Sequence, residues 1–357
     1  MAYTTINKPD EYFNTKLYTG NGTTATGITG VGFQPDMTWI KERSQIRSHV
    51  LFDVIRGATV QLNPNDTASD ATVAESLQSF DSDGFTVGNA TSVNQSGETY
   101  VGWNWLAGGT ASSNTDGSIT STVSANTTSG FSIVSYTGTG SNATVGHGLG
   151  VAPSWIVIKG RNQTEDWTTY HISTGNTKNV ILNSTAVPDT STTYWQDTSP
   201  TSSVFYLGSS TRPNTSGGTY IAYCFAEKTG FSKFGSYIAN NDDGNGPFIY
   251  TGFKPAFVMI KGSTSTSTYK SWCMFDTTRQ PFNVNAGKTL YANKDYPEGQ
   301  RGQGTVSATI PAIDMLSNGF KIKVFNDEVN NGTNTFIYMA FADAPLVGSN
   351  GVTAKAK

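Results

Sequence analysis

The chain has 357 residues, with 23 Lys and Arg against 26 Asp and Glu, a formal net charge of −3 and only 14% charged residues. A near-neutral chain with no basic block argues against nucleic acid as a partner, and no apolar run approaches membrane-spanning length, so no membrane insertion is expected. The 38 glycines, with Ser, Thr and Asn filling most polar positions, favour turns and strands over helices, and the expected class is all-β.

Residues 1–10 lack a basic segment followed by an apolar stretch, so no secretory signal is expected. Cys224 and Cys273 are then read as reduced core residues, as suits a reducing cytosol. An alternating strand from Tyr12 to Gly20 ends at a Gly-Asn-Gly turn. The next segment, Pro35-Asp36-Met37-Thr38-Trp39-Ile40-Lys41, is apolar on both faces, as a central strand requires, and enters from a proline-terminated turn. It recurs as Pro153-Ser154-Trp155-Ile156-Val157-Ile158-Lys159 and as Pro255-Ala256-Phe257-Val258-Met259-Ile260-Lys261. A third strand, His49 to Asp53, has counterparts at Thr168 to Ile172 and at Ser271 to Asp276.

Loops of differing length follow, roughly residues 56–79, 173–203 and 277–315, and loops that vary on a repeated scaffold are where specificity is usually built. Phe80 to Val87 and Leu316 to Ile322 then read as hairpins turning at Asp83-Gly84 and Asn318-Gly319. The closing block Thr99-Tyr100-Val101-Gly102-Trp103-Asn104-Trp105 returns at Thr219 to Phe225 and at Thr335 to Phe341. Its large residues share one face and its small ones the other, which predicts close packing of the small face on a neighbouring layer. The openings that match Tyr12 to Gly20 are Gly130 to Gly138 and, less clearly, Phe248 to Gly252.

These recurrences predict three tandem homologous β-sandwich modules over residues 1–107, 130–229 and 230–346, with 347–357 a fraying tail. The Gly, Ser, Thr and Asn-rich stretch 108–129 reads as a linker or an exposed hairpin. Unequal joints then imply a bent chain, with modules two and three packed tightly and module one set apart as the most independent unit.

Chemistry-bearing patterns are sparse. Asp81-Ser82-Asp83-Gly84 resembles part of a calcium loop, but the matching Ser317-Asn318-Gly319 keeps the turn and loses the charges, so a hairpin turn is favoured and no metal is expected. His49, His147 and His171 have no companions at metal-ligand spacing and read as packed imidazoles. Lys41, Lys159 and Lys261 read as strand-end lysines with stems laid over the core. No nucleophile elbow, phosphate loop or paired acid motif is present, so no catalytic residue and no cofactor are expected. Loop aromatics are the better lead: Tyr194, Trp195 and Asp197 in module two, and Tyr291 and Tyr296 in module three, combine rings with amides and carboxylates in a way that suits a sugar. The competing reading is that these rings pin long loops to the sandwich.

The opening Met1 to Lys8, Asn14 to Gly20, Gly32-Phe33-Gln34-Pro35-Asp36, Phe80 to Phe85, Tyr136 to Gly140 and the ending Phe341 to Asn350 together resemble a family of uncharacterised virion proteins of marine tailed phages. The resemblance covers nearly the whole chain. It implies lectin-like sandwiches in a tail-fibre or structural protein on the virion surface, with other virion proteins as partners, a host-surface glycan as a candidate ligand, and a possible homotrimer. Because the first module begins within the opening residues, a knob, an appendage tip or a capsid decoration fits as well as a fibre.

Overall fold

A computed structural model describes residues 3–264, 270–281, 283, 288–300 and 312–347. The described chain is all-β, and its helices are single turns. Part of the loop expected over 277–315, including 301–311, and the tail expected beyond 347 lie outside the described residues.

One strand order occurs three times. In the first module the opening strand Phe13–Thr19, the closing strand Thr99–Trp105, the proline strand Met37–Glu42 and the fourth strand Val50–Asp53 lie side by side and antiparallel. Phe131–Thr137, Thr219–Phe225, Trp155–Gly160 and Thr168–His171 repeat this order in the second module, and Ser232–Ile238, Thr335–Pro345, Phe253–Gly262 and Cys273–Asp276 in the third. The register repeats too: Trp105 pairs with Phe13 and Met37, and Phe225 with Phe131 and Trp155. The closing strand is central, hydrogen-bonded on both edges and buried on both faces, which accounts for its unbroken apolar run.

One expectation changes here, and one alternative is decided. The third opening strand is Ser232–Ile238, not Phe248 to Gly252; Phe248–Tyr250 instead pairs with Gly319–Ile322 in a smaller outer sheet. It is the counterpart of Thr26–Thr29 on Gly84–Val87 and of Ala143–Gly146 on Val204–Leu207. Of the two readings of 108–129, the hairpin is the one found: Ser112–Asn114 and Ser121–Asn126 pair and extend the second main sheet beyond Phe131–Thr137. Its Ser/Thr alternation suits an edge that keeps one face wet.

The small face of each closing strand meets its own outer sheet. Gly102 lies under Phe85, so that a Cβ there would stand 3.3 Å from the ring. Tyr338, the large exception in this row, fits because Gly235 on the adjacent strand leaves room: a Cβ at Gly235 would stand 2.7 Å from the tyrosine hydroxyl.

The large faces of all three main sheets point at one another around a common axis. Trp105, Phe225 and Phe341, equivalent residues of three modules, form a triangle with ring centroids 6.4, 5.8 and 5.9 Å apart. Phe13 completes the layer from module one, 5.1 Å from Phe341 and 5.7 Å from Phe257 of module three. Ile6 closes this end of the core from the N-terminal segment. A small apolar cavity of about 20 Å³ remains beside the axis, where Val157 stands in place of the larger Trp39 and Met259.

The arrangement is therefore a closed prism rather than a bent chain, and module one is as embedded as the others. An isolated fragment 1–107 would expose Trp39, Val101, Trp103 and Trp105 to water, at about 1.5–3 kcal/mol for each large side chain. We expect that fragment to show no cooperative thermal unfolding by circular dichroism, whereas the whole chain melts in one transition.

Candidate functional site

The polar and ionisable groups that stand out by burial gather where one module meets the next, and they recur in cyclic order. The carbonyl-presenting loop starts after the fourth strand. In it Asn65, Asn183 and Asn293 each accept, through Oδ1, the backbone N–H of His49, Trp167 and Trp272 of their own module, at 2.8, 2.9 and 2.9 Å. This holds each loop so that the carbonyl two residues earlier faces the next module. There Trp167 Nε1 donates to Asn63 O at 3.1 Å, Trp272 Nε1 to Ile181 O at 3.0 Å, and His49 Nε2 to Tyr291 O at 2.9 Å. The last of these closes the ring from module three back to module one.

The histidine works in a tryptophan's position because it is neutral. Its Nδ1 accepts from Trp39 Nε1 at 2.8 Å, leaving the proton on Nε2, and burial, reinforced by the charge of Lys41, holds its pKa well below the usual imidazole value.

Two residues beyond each asparagine comes a second contact. Lys159 Nζ donates to Thr67 O at 3.0 Å and to Gln163 O and Glu165 O at 3.3 and 3.0 Å, while Lys261 Nζ donates to Thr185 O at 2.9 Å and to Lys270 O. Lys41 donates to Glu42 O, and the carbonyl of Asp295 at the matching position accepts Arg47 N at 2.9 Å. The lysine heads are thus not at the wet end of a strand but capped inside the protein. Burial lowers their pKa values to about 8 for Lys41 and Lys159 and to about 7 for Lys261.

Five residues beyond the asparagine is an acid paired across two of the seams. Asp70 meets Arg161 at 2.8 Å and Glu298 meets Arg43 at 2.6 Å, and in both cases the acid's backbone N–H also donates to the arginine's carbonyl. At the remaining seam Pro188 and Ser263 occupy the two positions, so both members of the pair are replaced together.

A third set lies nearer the axis. Asp53 is locked to Arg56 at 2.6 Å and accepts the Tyr223 hydroxyl of module two at 2.7 Å. Asp276 is locked to Arg279 and accepts Trp103 Nε1 of module one at 3.1 Å. Module three has Met339 where the others have Trp103 and Tyr223, and Met cannot donate. The facing residue is accordingly His171, whose Nε2 donates to Tyr338 O at 3.1 Å while Nδ1 accepts Ser173 N. Burial lowers its pKa to about 4, so it stays neutral near pH 7.

Of the loop residues expected to face a sugar, Tyr194, Trp195 and Tyr291 take part in packing instead. Tyr194 and Trp195 are buried; Trp195 Nε1 donates to Lys178 O at 3.0 Å, and the Tyr194 hydroxyl accepts from Arg212 at 2.9 Å. Tyr291 is buried at the closing seam, and Tyr296 is half-buried with Lys294 Nζ 5.9 Å from its ring centre. Asp197 is exposed, its backbone carbonyl accepting from Asn176. A ring that has lost its solvent-facing surface to the sandwich has none to offer a sugar. Asp83 and Asp81 are likewise engaged within the hairpin region, Asp83 accepting Gly30 N and Gly32 N at 3.0 and 2.7 Å and Asp81 accepting the hydroxyls of Ser79 and Thr86. Among the described residues no cluster of His, Cys, Asp and Glu could hold a metal ion. Cys224 and Cys273 are buried and are not joined in a disulfide.

Two outcomes follow from the seams. Replacing Trp103 with Phe removes the N–H that faces Asp276 and leaves a buried carboxylate short of a donor, so we expect a loss of about 1–3 kcal/mol in urea unfolding. Lys159 binds its proton less tightly folded than unfolded, so between about pH 8 and pH 10 the unfolded chain holds more protons and stability rises with pH. Lys159→Met removes that slope: relative to the variant, the parent chain should gain at most about 1.4 kcal/mol per pH unit across the window in parallel urea titrations.

No curated protein and no solved structure matches the chain. The model of the family described as a domain of unknown function, DUF7483, matches residues 8–345, and the chain belongs to that family.

Proposed function

We propose that the chain is a structural component of a bacteriophage particle, exposed on its surface as an appendage tip or knob, and not an enzyme. The observation that carries this reading is the occupation of its ionisable groups. Lys41, Lys159 and Lys261, the imidazoles His49 and His171, and the carboxylates Asp53 and Asp276 all lie buried at module seams with hydrogen-bond partners in hand. A catalytic base or nucleophile needs a cleft and a free lone pair, and these groups have neither. A closed, rigid, threefold-like body suits a place on or beside a symmetry axis of an assembly, where other virion proteins would hold it. The opening and closing motifs that resemble marine tailed-phage virion proteins favour the same setting. Mass spectrometry of purified particles from a phage encoding the chain should detect it at stoichiometric level, and immunogold labelling should place it at the tail or the capsid. Its absence from particles would reject the proposal.

A further inference from the structure

The outer sheets of the three modules differ at the two positions that flank a buried central residue. The residues flanking Ile28 are Gly27 and Thr29, those flanking Val145 are Thr144 and Gly146, the latter buried under Asn114, and those flanking Ile249 are Phe248 and Tyr250. Module one builds the same strand with exposed Gly27 and Thr29, so packing does not require rings here. Phe248 and Tyr250 are nonetheless 47% and 53% exposed, side by side on one face and about 7 Å apart along the strand.

Polar groups lie around the two rings. Gly319 on the neighbouring strand pairs with Tyr250, and its missing side chain makes room for the Phe248 ring, which would stand 3.1 Å from a Cβ there. Lys321 faces Phe248 and donates to Asn245 Oδ1 at 3.1 Å, and beyond it Lys323 and Asp314 pair at 3.1 Å. Tyr3 lies at the other margin, its hydroxyl donating to Gly252 O at 2.6 Å beside the hydroxyl of Tyr250.

We infer that Phe248 and Tyr250, rimmed by Lys321, Asn245 and Asp314, form a stacking platform for the sugar rings of a surface polysaccharide. Size decides against a protein partner. With roughly half of each ring exposed, the pair offers on the order of 200 Å², against about 800 Å² from each side of a stable protein contact. That smaller area matches one or two pyranose rings, whose apolar faces lie on aromatic rings while their hydroxyls reach a polar rim. In module two the corresponding face is covered: Ser118 bonds Thr144 through both backbone and side chain, and Ile119 bridges to Val145.

The test uses the full chain in native gels cast with dextran, laminarin, alginate or O-chain-bearing lipopolysaccharide. At least one should retard migration, and Phe248→Thr and Tyr250→Thr, which copy a residue type found at these positions in the other modules, should each weaken retardation by about fivefold with the melting temperature unchanged. Thr29→Ala on the equivalent face of module one should have no effect. The inference is overturned if none of the four retards the chain, or if both variants migrate like the parent. It is also overturned if binding to bacterial envelope fragments survives periodate but not protease, which would identify a protein partner. Because the assay needs no particle, it can fail while the chain is found in virions, and the reverse.

Discussion

The structure depends on hydrogen bonds made from ring N–H groups just before one module's fourth strand to the loop of the module preceding it in the ring, where water cannot compete. A buried N–H or carbonyl left unpaired costs about 1–3 kcal/mol, so each seam must be complete or absent. The ring N–H of His49, Trp167 or Trp272 meets a carbonyl that a loop asparagine has already positioned. Once those contacts are satisfied, the large faces of three closing strands have nowhere to go but the axis, and the aromatic triangle of Trp105, Phe225 and Phe341 follows.

The seams also show how a repeat diverges without losing its interface. Changes occur in complementary pairs. Where the donor at the axis becomes Met339, the acceptor opposite becomes the donor His171. Where the arginine becomes Ser263, the acid becomes Pro188. One-sided changes would leave a buried charge or dipole without a partner, so the surviving differences record which positions face each other.

Much of the architecture was legible in the sequence because it was written in periodicity. The proline strands, the closing strands and the division of each closing strand into a large and a small face all lie where the repeats put them. The relation between modules was not legible, because a large apolar face specifies burial without saying against what. The stretch 108–129 left two readings open because Ser and Thr serve an exposed edge strand as well as a linker. Tyr194, Trp195 and Tyr291 misled because polar neighbours in sequence need not be neighbours in space. The seam itself left a signal in the aligned repeats: His49, Trp167 and Trp272 share a place before the fourth strand, and Asn65, Asn183 and Asn293 share another. Periodicity could not link them, since the loops between differ in length.

Three modules in one chain can drift apart in a way that three copies of one chain cannot. A homotrimer that placed rings at Phe248 and Tyr250 would carry them three times. Here they occur once, on a body whose other two outer faces are small and polar or covered. The molecule has threefold shape but a valency of one. Toward any repeating surface its own contact is therefore weak and single, and firm attachment becomes a property of how many copies are displayed together and how far apart they stand.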